Sequence, residues 1–439
     1  MKKRGKILSS VSVLAVMGGT LTGCASNSGN TSNSGGGTDS SKPVTVTIMS
    51  WETAAMNKLI TQSFKSFEAQ NPTIKVKIVP APLTNYGTKL NGMIAAHQAP
   101  DIFELGNDME QQMGEQGQLY DWYSTAKGQS NFLNNFFPGV LTNWEEDGKL
   151  YGLPGLLNVY GYFYNKTLFD EAKIPYPKTG WTYQEMFQDA QKLQKTVDGV
   201  HEYGLYAPYD DPFEMGLYSV SAGGAPFANS ITNATKIQAS PQFIQGLQLY
   251  QQNIKNGAVT PPTFDATNIV SMFEQGKVPI MAYGQWAADQ LIREAPKSLK
   301  WGYVANPIVK SQDSIYDCVG WASPANVPDP SATFKVLKYL DTVTYEKVLP
   351  KTPVAPPAYT PAAKPYYNVL KKDGYADMVT NLDYMLNSPN KQPIRFLETW
   401  STKANQFITA DWNNLLEDKT PISTVNSMVD KINQSTSSP

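Results

Sequence analysis

From Val44 onward the chain alternates short β-branched runs with longer segments whose apolar residues fall three and four apart. VTVTIMSW (Val44 to Trp51) predicts a buried strand. Met56, Leu59, Ile60, Phe64 and Phe67 then keep helical spacing as far as Asn71-Pro72, and IKVKIV (Ile74 to Val79) predicts a second strand. A further helix, with Tyr86, Leu90, Met93 and Ile94 on one face, leads into the strand DIFEL from Asp101. This βαβαβ order predicts half of an open α/β sheet. Such sheets hold ligands beyond the carboxyl ends of their strands, which singles out Trp51-Glu52, Asn85-Tyr86 and Gly106-Asn107-Asp108.

A second α/β unit follows. Tyr160 to Tyr164 reads as an aromatic strand, and Thr182-Tyr183-Gln184-Glu185 fits a capping box opening a helix with Met186, Phe187, Ala190 and Leu193 inward. Pro241 to Gly257 reads as a helix; KVPIMAYG (Lys277 to Gly284) and KWGYVANP (Lys300 to Pro307) read as strands. CVGWASPANVPDP, from Cys318 to Pro330, reads as a crossing back to the first lobe, with a helix from Phe334 to Tyr345. The proline-rich stretch Pro350 to Pro365 reads as a stiff connection into a helical C-terminal part.

The residues before Val44 have a different character. Lys2, Lys3, Arg4 and Lys6 precede a broken apolar run from Ile7 to Thr22, a pattern of an export signal too short to span a membrane. Leu21-Thr22-Gly23-Cys24 resembles a bacterial lipobox, in which Cys24 becomes the acylated first residue; the alternative is an ordinary signal peptide. Of the 18 residues from Ala25 to Lys42, 15 are Ser, Gly, Asn or Thr, a flexible tether with a reach of roughly 24 Å. Loss of residues 1–23 leaves 32 basic against 38 acidic residues, a balance that disfavours nucleic acid as a partner. The remaining 400 or so residues exceed one ordinary core and predict two lobes. Cys318 has no intramolecular partner once Cys24 is acylated and reads as a small buried hydrophobe. His97 and His201, the two histidines, stand in no ligand-spaced cluster, so neither a zinc site nor a Ser-His-Asp site is expected.

Several segments, in order, resemble the extracellular solute-binding proteins of ATP-binding-cassette (ABC) importers, in the branch related to maltose-binding protein. They are the first strand ending in Trp51, FKSFEAQNP from Phe64, Ala99-Pro100-Asp101-Ile102, and LYGLPGLLNVYGYFYNKTLFDEAKIPYP from Leu150. GWTYQEMFQDAQKLQK from Gly180, Gly223-Gly224, FEQGKVPIMAYGQW from Phe273 and Val319-Gly320-Trp321 complete the series. The resemblance implies a two-lobed periplasmic-binding-protein fold of type II, each lobe a central sheet flanked by helices, with the ligand in a cleft between them. The lobes would run 43–159 and 319–352 for the first, 160–318 and 353–439 for the second. It also implies a monomer without cofactor or catalytic metal, held to the outer face of the cell membrane by lipid, delivering its ligand to a membrane permease.

A sugar presents hydroxyls and apolar C–H faces, so its site needs flat rings beside carboxylates and amides. The chain holds 9 Trp, 24 Tyr and 17 Phe, several at strand ends beside such groups. By family position the resemblance assigns ligand contact to Trp51, Glu52, Asn85, Tyr86, Asn158, Gly284 and Trp286, and then to Asn107, Asp108 and Trp321; Tyr160, and Tyr209 and Asp210 in a loop where the family varies, are further candidates. An oligosaccharide is the expected ligand. The rival readings are a peptide or polyamine receptor, a surface adhesin, or a glycoside hydrolase using Glu145-Glu146 or Asp210-Asp211 as its carboxylate pair.

Overall fold

The computed structural model describes residues 43–208, 212–231, 234–312, 315–388, 392–393 and 411–436. The first three strands, β1 (Val44–Ser50), β2 (Ile74–Pro80) and β3 (Ile102–Gly106), are parallel in the spatial order β2-β1-β3, as the βαβαβ reading requires. The helix after β1, α1 (Ala54–Gln70), starts where the Thr53 hydroxyl accepts a hydrogen bond from the Met56 N–H, and it buries Met56, Ile60, Phe64 and Phe67. α2 (Tyr86–Ala95) buries Tyr86 and Leu90, and α3 (Asn107–Glu115) follows β3 without a break.

A short hairpin, β4 (Glu145–Glu146) with β5 (Lys149–Leu150), leads to β6 (Gly152–Asn165), a strand of 14 residues. Sequence reading gave only its second half, because Gly152, Pro154 and Gly155 disguise the first. Pro154 has no N–H to donate and sits opposite Gly320, where the register shifts, so the proline and the irregularity coincide. Gly155 is required by packing: a Cβ there would lie 2.7 Å from the Tyr345 hydroxyl and 3.1 Å from Trp321 Nε1.

Beyond β6 come a second hairpin, β7 (Lys195–Val197) and β8 (Val200–Glu202), then β9 (Leu205–Tyr206), β10 (Ile280–Gly284) and β11 (Trp301–Val304). β12 (Ile315–Ala322) is a full strand where the sequence reading placed a crossing, and it joins the two parts of the sheet by pairing antiparallel with both β3 and β6. β13 (Gln392–Pro393) pairs with its start. The resulting order is β2-β1-β3-β12-β6-β10-β9, with β11 also on β6. β6 pairs with β12 from Gly152 to Val159, then with β10 and β11 from Tyr160 to Asn165.

Two apolar cores cover the second part of this sheet, where the end of β6 with β10 and β11 alternates between them with the period of the pleat. Phe163, Met281 and Tyr303 face the core that contains Trp122, Trp144 and Trp321. Tyr162, Tyr164, Ile280, Ala282 and Val304 face the core that contains Trp181, Phe243 and Trp412. The expected capping box is present, with the Thr182 hydroxyl accepting from the Glu185 N–H and the Glu185 carboxylate accepting from the Thr182 N–H. The helix expected from Phe334 to Tyr345 is instead Pro330–Tyr339, a wider π turn at Leu340–Thr344, and Tyr345–Val348. The proline-rich stretch lies along the free edge of β6, where Leu157 N–H donates to Pro356 O and Ala358 N–H donates to Gly155 O. Among the described residues no helix is long and apolar enough to cross a membrane.

Candidate functional site

At the carboxyl end of β1 the chain turns out of the sheet through Ser50-Trp51-Glu52. Glu104 of β3 fixes that turn: its Oε2 accepts from the Ser50 hydroxyl at 3.0 Å and from the Trp51 N–H at 3.1 Å. The Ser50 oxygen accepts from the Glu52 N–H, and the Asn57 amide donates to Glu52 O at 2.8 Å, which pins the loop to α1. The Trp51 ring is half-buried and meets the Tyr86 ring edge-on, centroids 4.9 Å apart. Tyr86 itself is only 1% exposed, and its hydroxyl donates to Met49 O while accepting from the Glu104 N–H. It therefore ties β1 to β3 and backs Trp51, a different task from the ligand contact expected of it. Asn85, just before it, is exposed.

The second group stands at the carboxyl end of β10. Trp286 folds back over Gly284: a Cβ on Gly284 would lie within 1.8 Å of the indole, so only glycine permits this placement. Gly284 is opposite Tyr160 in register. Trp286 accordingly meets Tyr160 edge-on at 5.4 Å and Tyr283 at 5.5 Å, giving three half-buried rings together. The Tyr160 hydroxyl donates to Asp317 Oδ2 at 2.8 Å, and Asp317 is the register partner of Asn158, which shares a face of β6 with Tyr160. Between Gly284 and Trp286, the buried Gln285 accepts from the Val159 N–H at 2.6 Å and donates to Leu157 O at 3.0 Å. It latches β10 onto β6 at the residue where β6 changes partners.

Electrostatics connect the two groups. Glu52 is pushed up from 4.5 to about 7, first by burial and then by Asp289, against the Thr53 N–H. Asp289 lies in the helix Ala287–Glu294 that begins after Trp286, so the turn after β1 and the helix after β10 are near enough for their carboxylates to interact. Glu104 is held well above the usual carboxylate range by burial and by Glu52, with the Ser50 and Trp51 hydrogen bonds working against them. Asp289 Oδ2 accepts two bonds from Arg293, at 2.9 and 2.5 Å. Asp289 Oδ1 and Glu104 Oε1, both buried, have no hydrogen-bond partner among the described residues.

Sequence reading missed Glu104, Gln285, Asp289 and Asp317. The available signal for Glu104 was a carboxylate inside an otherwise apolar strand. Trp321, expected as a ring at the ligand, is 1% exposed in the core, where its Nε1 donates to the Tyr345 hydroxyl at 2.8 Å. Asn107 and Asp108 begin α3 beyond β3, with their side chains outside the described residues; Tyr209, Asp210, Asp211 and Cys24 also lie outside them. Glu145 and Glu146 form a surface hairpin in which Glu145 accepts from the Tyr123 hydroxyl. Cys318 is buried, as expected. Among the described residues no group of three or more His, Cys, Asp or Glu could hold a metal.

Comparison with known proteins gives a consistent result. The family model for bacterial extracellular solute-binding proteins matches residues 62–342. A putative binding protein of Brucella abortus is 28% identical over 248 residues, covering 55% of this chain and 58% of its own. The chain thus spans a little over half the length of such curated relatives. Among solved structures, an ABC substrate-binding protein of Listeria monocytogenes in complex with cycloalternan superposes with a TM-score of 0.77, at 22% identity, covering 90% of this chain and 99% of its own. The cyclic alpha-maltosyl-1,6-maltose binding protein of Arthrobacter globiformis superposes with a TM-score of 0.71, at 17% identity, covering 89% and 97%. These likenesses establish a mixed α/β periplasmic-binding-protein fold. With nearly two thirds of its length matched by the family model, the chain belongs to the bacterial extracellular solute-binding proteins, a family of binding proteins and not of enzymes.

Proposed function

We propose that this protein is the substrate-binding lipoprotein of an ABC importer, that it captures an oligosaccharide between two lobes, and that it hands it to a membrane permease. The observation that supports this reading is a pair of half-buried ring groups at strand ends, Trp51 beside Glu52 after β1 and Tyr160, Tyr283 and Trp286 around the end of β10, with Asp289 of the following helix acting electrostatically on Glu52. Rings supply flat apolar platforms for sugar C–H faces, and carboxylates accept from hydroxyls. The similar folds of a protein in complex with cycloalternan and of a cyclic alpha-maltosyl-1,6-maltose binding protein agree with a carbohydrate ligand. The proposed contacts are Trp51, Glu52, Asn85, Asn158, Tyr160 and Trp286, and, from the sequence alone, Asn107, Asp108, Tyr209 and Asp210. Tyr86 backs Trp51, and Gly284 makes room for Trp286.

The lobes of this reading are 43–159 with 319–352, and 160–318 with 353–439. Capture shifts an open-to-closed equilibrium because the ligand gains contacts with both lobes only in the closed form. Cys24 is the proposed lipid anchor, and the proposed location is the outer face of the cell membrane. A thermal-shift screen of the chain from Ala25, against mono- and oligosaccharides with peptides and polyamines as controls, tests the ligand class. A ligand at 100 times its Kd adds about 2.7 kcal/mol. Stabilisation by an oligosaccharide recovered intact supports the reading; stabilisation only by a control, or recovery of a cleaved sugar, rejects it.

A further inference from the structure

The open side of β2 is closed one group at a time. β2 is the outermost strand of its sheet and pairs, among the described residues, with β1 alone. In such a strand alternate residues direct their backbone groups to the same side. Ala81 N–H donates to Ser50 O of β1, so Lys75, Lys77 and Val79 share that inner side, and Ile74, Val76, Ile78 and Pro80 turn their backbone outward. Ile74 N–H donates to Asn71 O at 2.9 Å, and Pro80 has no N–H to offer. Val76 N–H is taken by a side chain: Glu68 of α1 accepts it on Oε1 at 2.8 Å, while its Oε2 lies 3.5 Å from Lys75 Nζ. Ile78 N–H is then the outward donor left without a partner among the described residues.

A strand edge with free backbone groups accepts a strand from another chain. The occupant that fits this one is a second copy of the same chain, its β2 turned antiparallel about a two-fold axis at Lys77. Val76 would then stand opposite Ile78 of the second copy, and the reverse, each pair exchanging both N–H···O bonds. The half-buried Val76 and Ile78 side chains would meet on one face. On the other, the exposed Lys77 ammonium groups would stand directly opposite each other, where like charges destabilise the pair. We infer that the outer edge of β2 is a strand-pairing surface for a second copy of this chain, held shut by Glu68 on the Val76 N–H and by the charge of Lys77. It gives a physical cause for the monomer that the resemblance implies, and it does not depend on the ligand.

Sedimentation equilibrium of the chain from Ala25, which retains every described residue, tests it; a contact of so few bonds calls for concentrations up to about 1 mM. Wild type should stay a monomer throughout. Glu68→Ala combined with Lys77→Thr should approach double that mass as it is concentrated, and amide exchange at Val76 and Ile78 should slow roughly tenfold or more over the same range. Glu68→Gln combined with Lys77→Thr keeps an oxygen for the Val76 N–H and should remain a monomer. Lys77 is exposed and Glu68 partly so, and melting temperatures near wild type establish that both double variants fold. A monomeric alanine variant, a dimer of wild type, a glutamine variant that pairs as tightly as the alanine variant, or a dimer without slowed exchange at Val76 and Ile78 overturns the inference.

Discussion

Trp286 owes its position to a neighbour without a side chain. The indole occupies the space over Gly284 that any Cβ would take, so Gly284→Ala must drive the ring off Tyr160 and Tyr283. We expect Trp286→Ala to weaken sugar binding at least about 100-fold while the melting temperature stays near wild type, since the ring is half exposed and its loss leaves no core cavity. Unchanged affinity in a calorimetric titration would remove Trp286 from the site. Glu52 makes a separate prediction. Its folded pKa is raised, so between about 4.5 and about 7 the folded chain keeps a proton that the unfolded chain releases. Stability contributed there falls as pH rises through that window. Glu52→Gln should flatten the decline in melting temperature across it, and parallel curves for the two proteins would show that Glu52 is not held in this way. Trp51 and Trp286 were legible in the sequence because each follows a recognisable strand. Glu104 and Asp289 were not, because their roles come from burial in the folded chain, which one-dimensional spacing does not encode.

Strands β6 and β12 explain where element reading succeeded and where it stopped. β1, β2 and β3 have β-branched runs bounded by helices, and their order and direction followed from that pattern. β6 and β12 carry glycines at positions where Trp144, Trp321 and Tyr345 approach the backbone, so packing needs overrode strand propensity. Gln285 is the latch between β6 and β10. Gln285→Ala leaves the buried Val159 N–H and Leu157 C=O without their side-chain partner, and should cost about 1–3 kcal/mol in urea denaturation at unchanged m-value. A loss below about 0.5 kcal/mol would mean that water or a neighbour replaces both bonds.

Across the whole molecule, the proposed closing motion predicts a smaller radius of gyration in small-angle scattering when a sugar binds. An unchanged radius at saturation would confine binding to one half. Surface attachment is tested separately, by labelling cells with palmitate: label should follow the chain and vanish in Cys24→Ala. The fold class was legible from segment order; the way the halves are joined was not. That junction has a consequence of its own. Because β6 gives its first eight residues to β12 and its remainder to β10 and β11, neither half owns the strand it depends on. A fragment ending at Val159, or one starting at Tyr160, would hold only part of that strand, so the halves should not survive as separately expressed pieces. The intact chain should then melt in one cooperative step, with calorimetric and van't Hoff enthalpies in agreement.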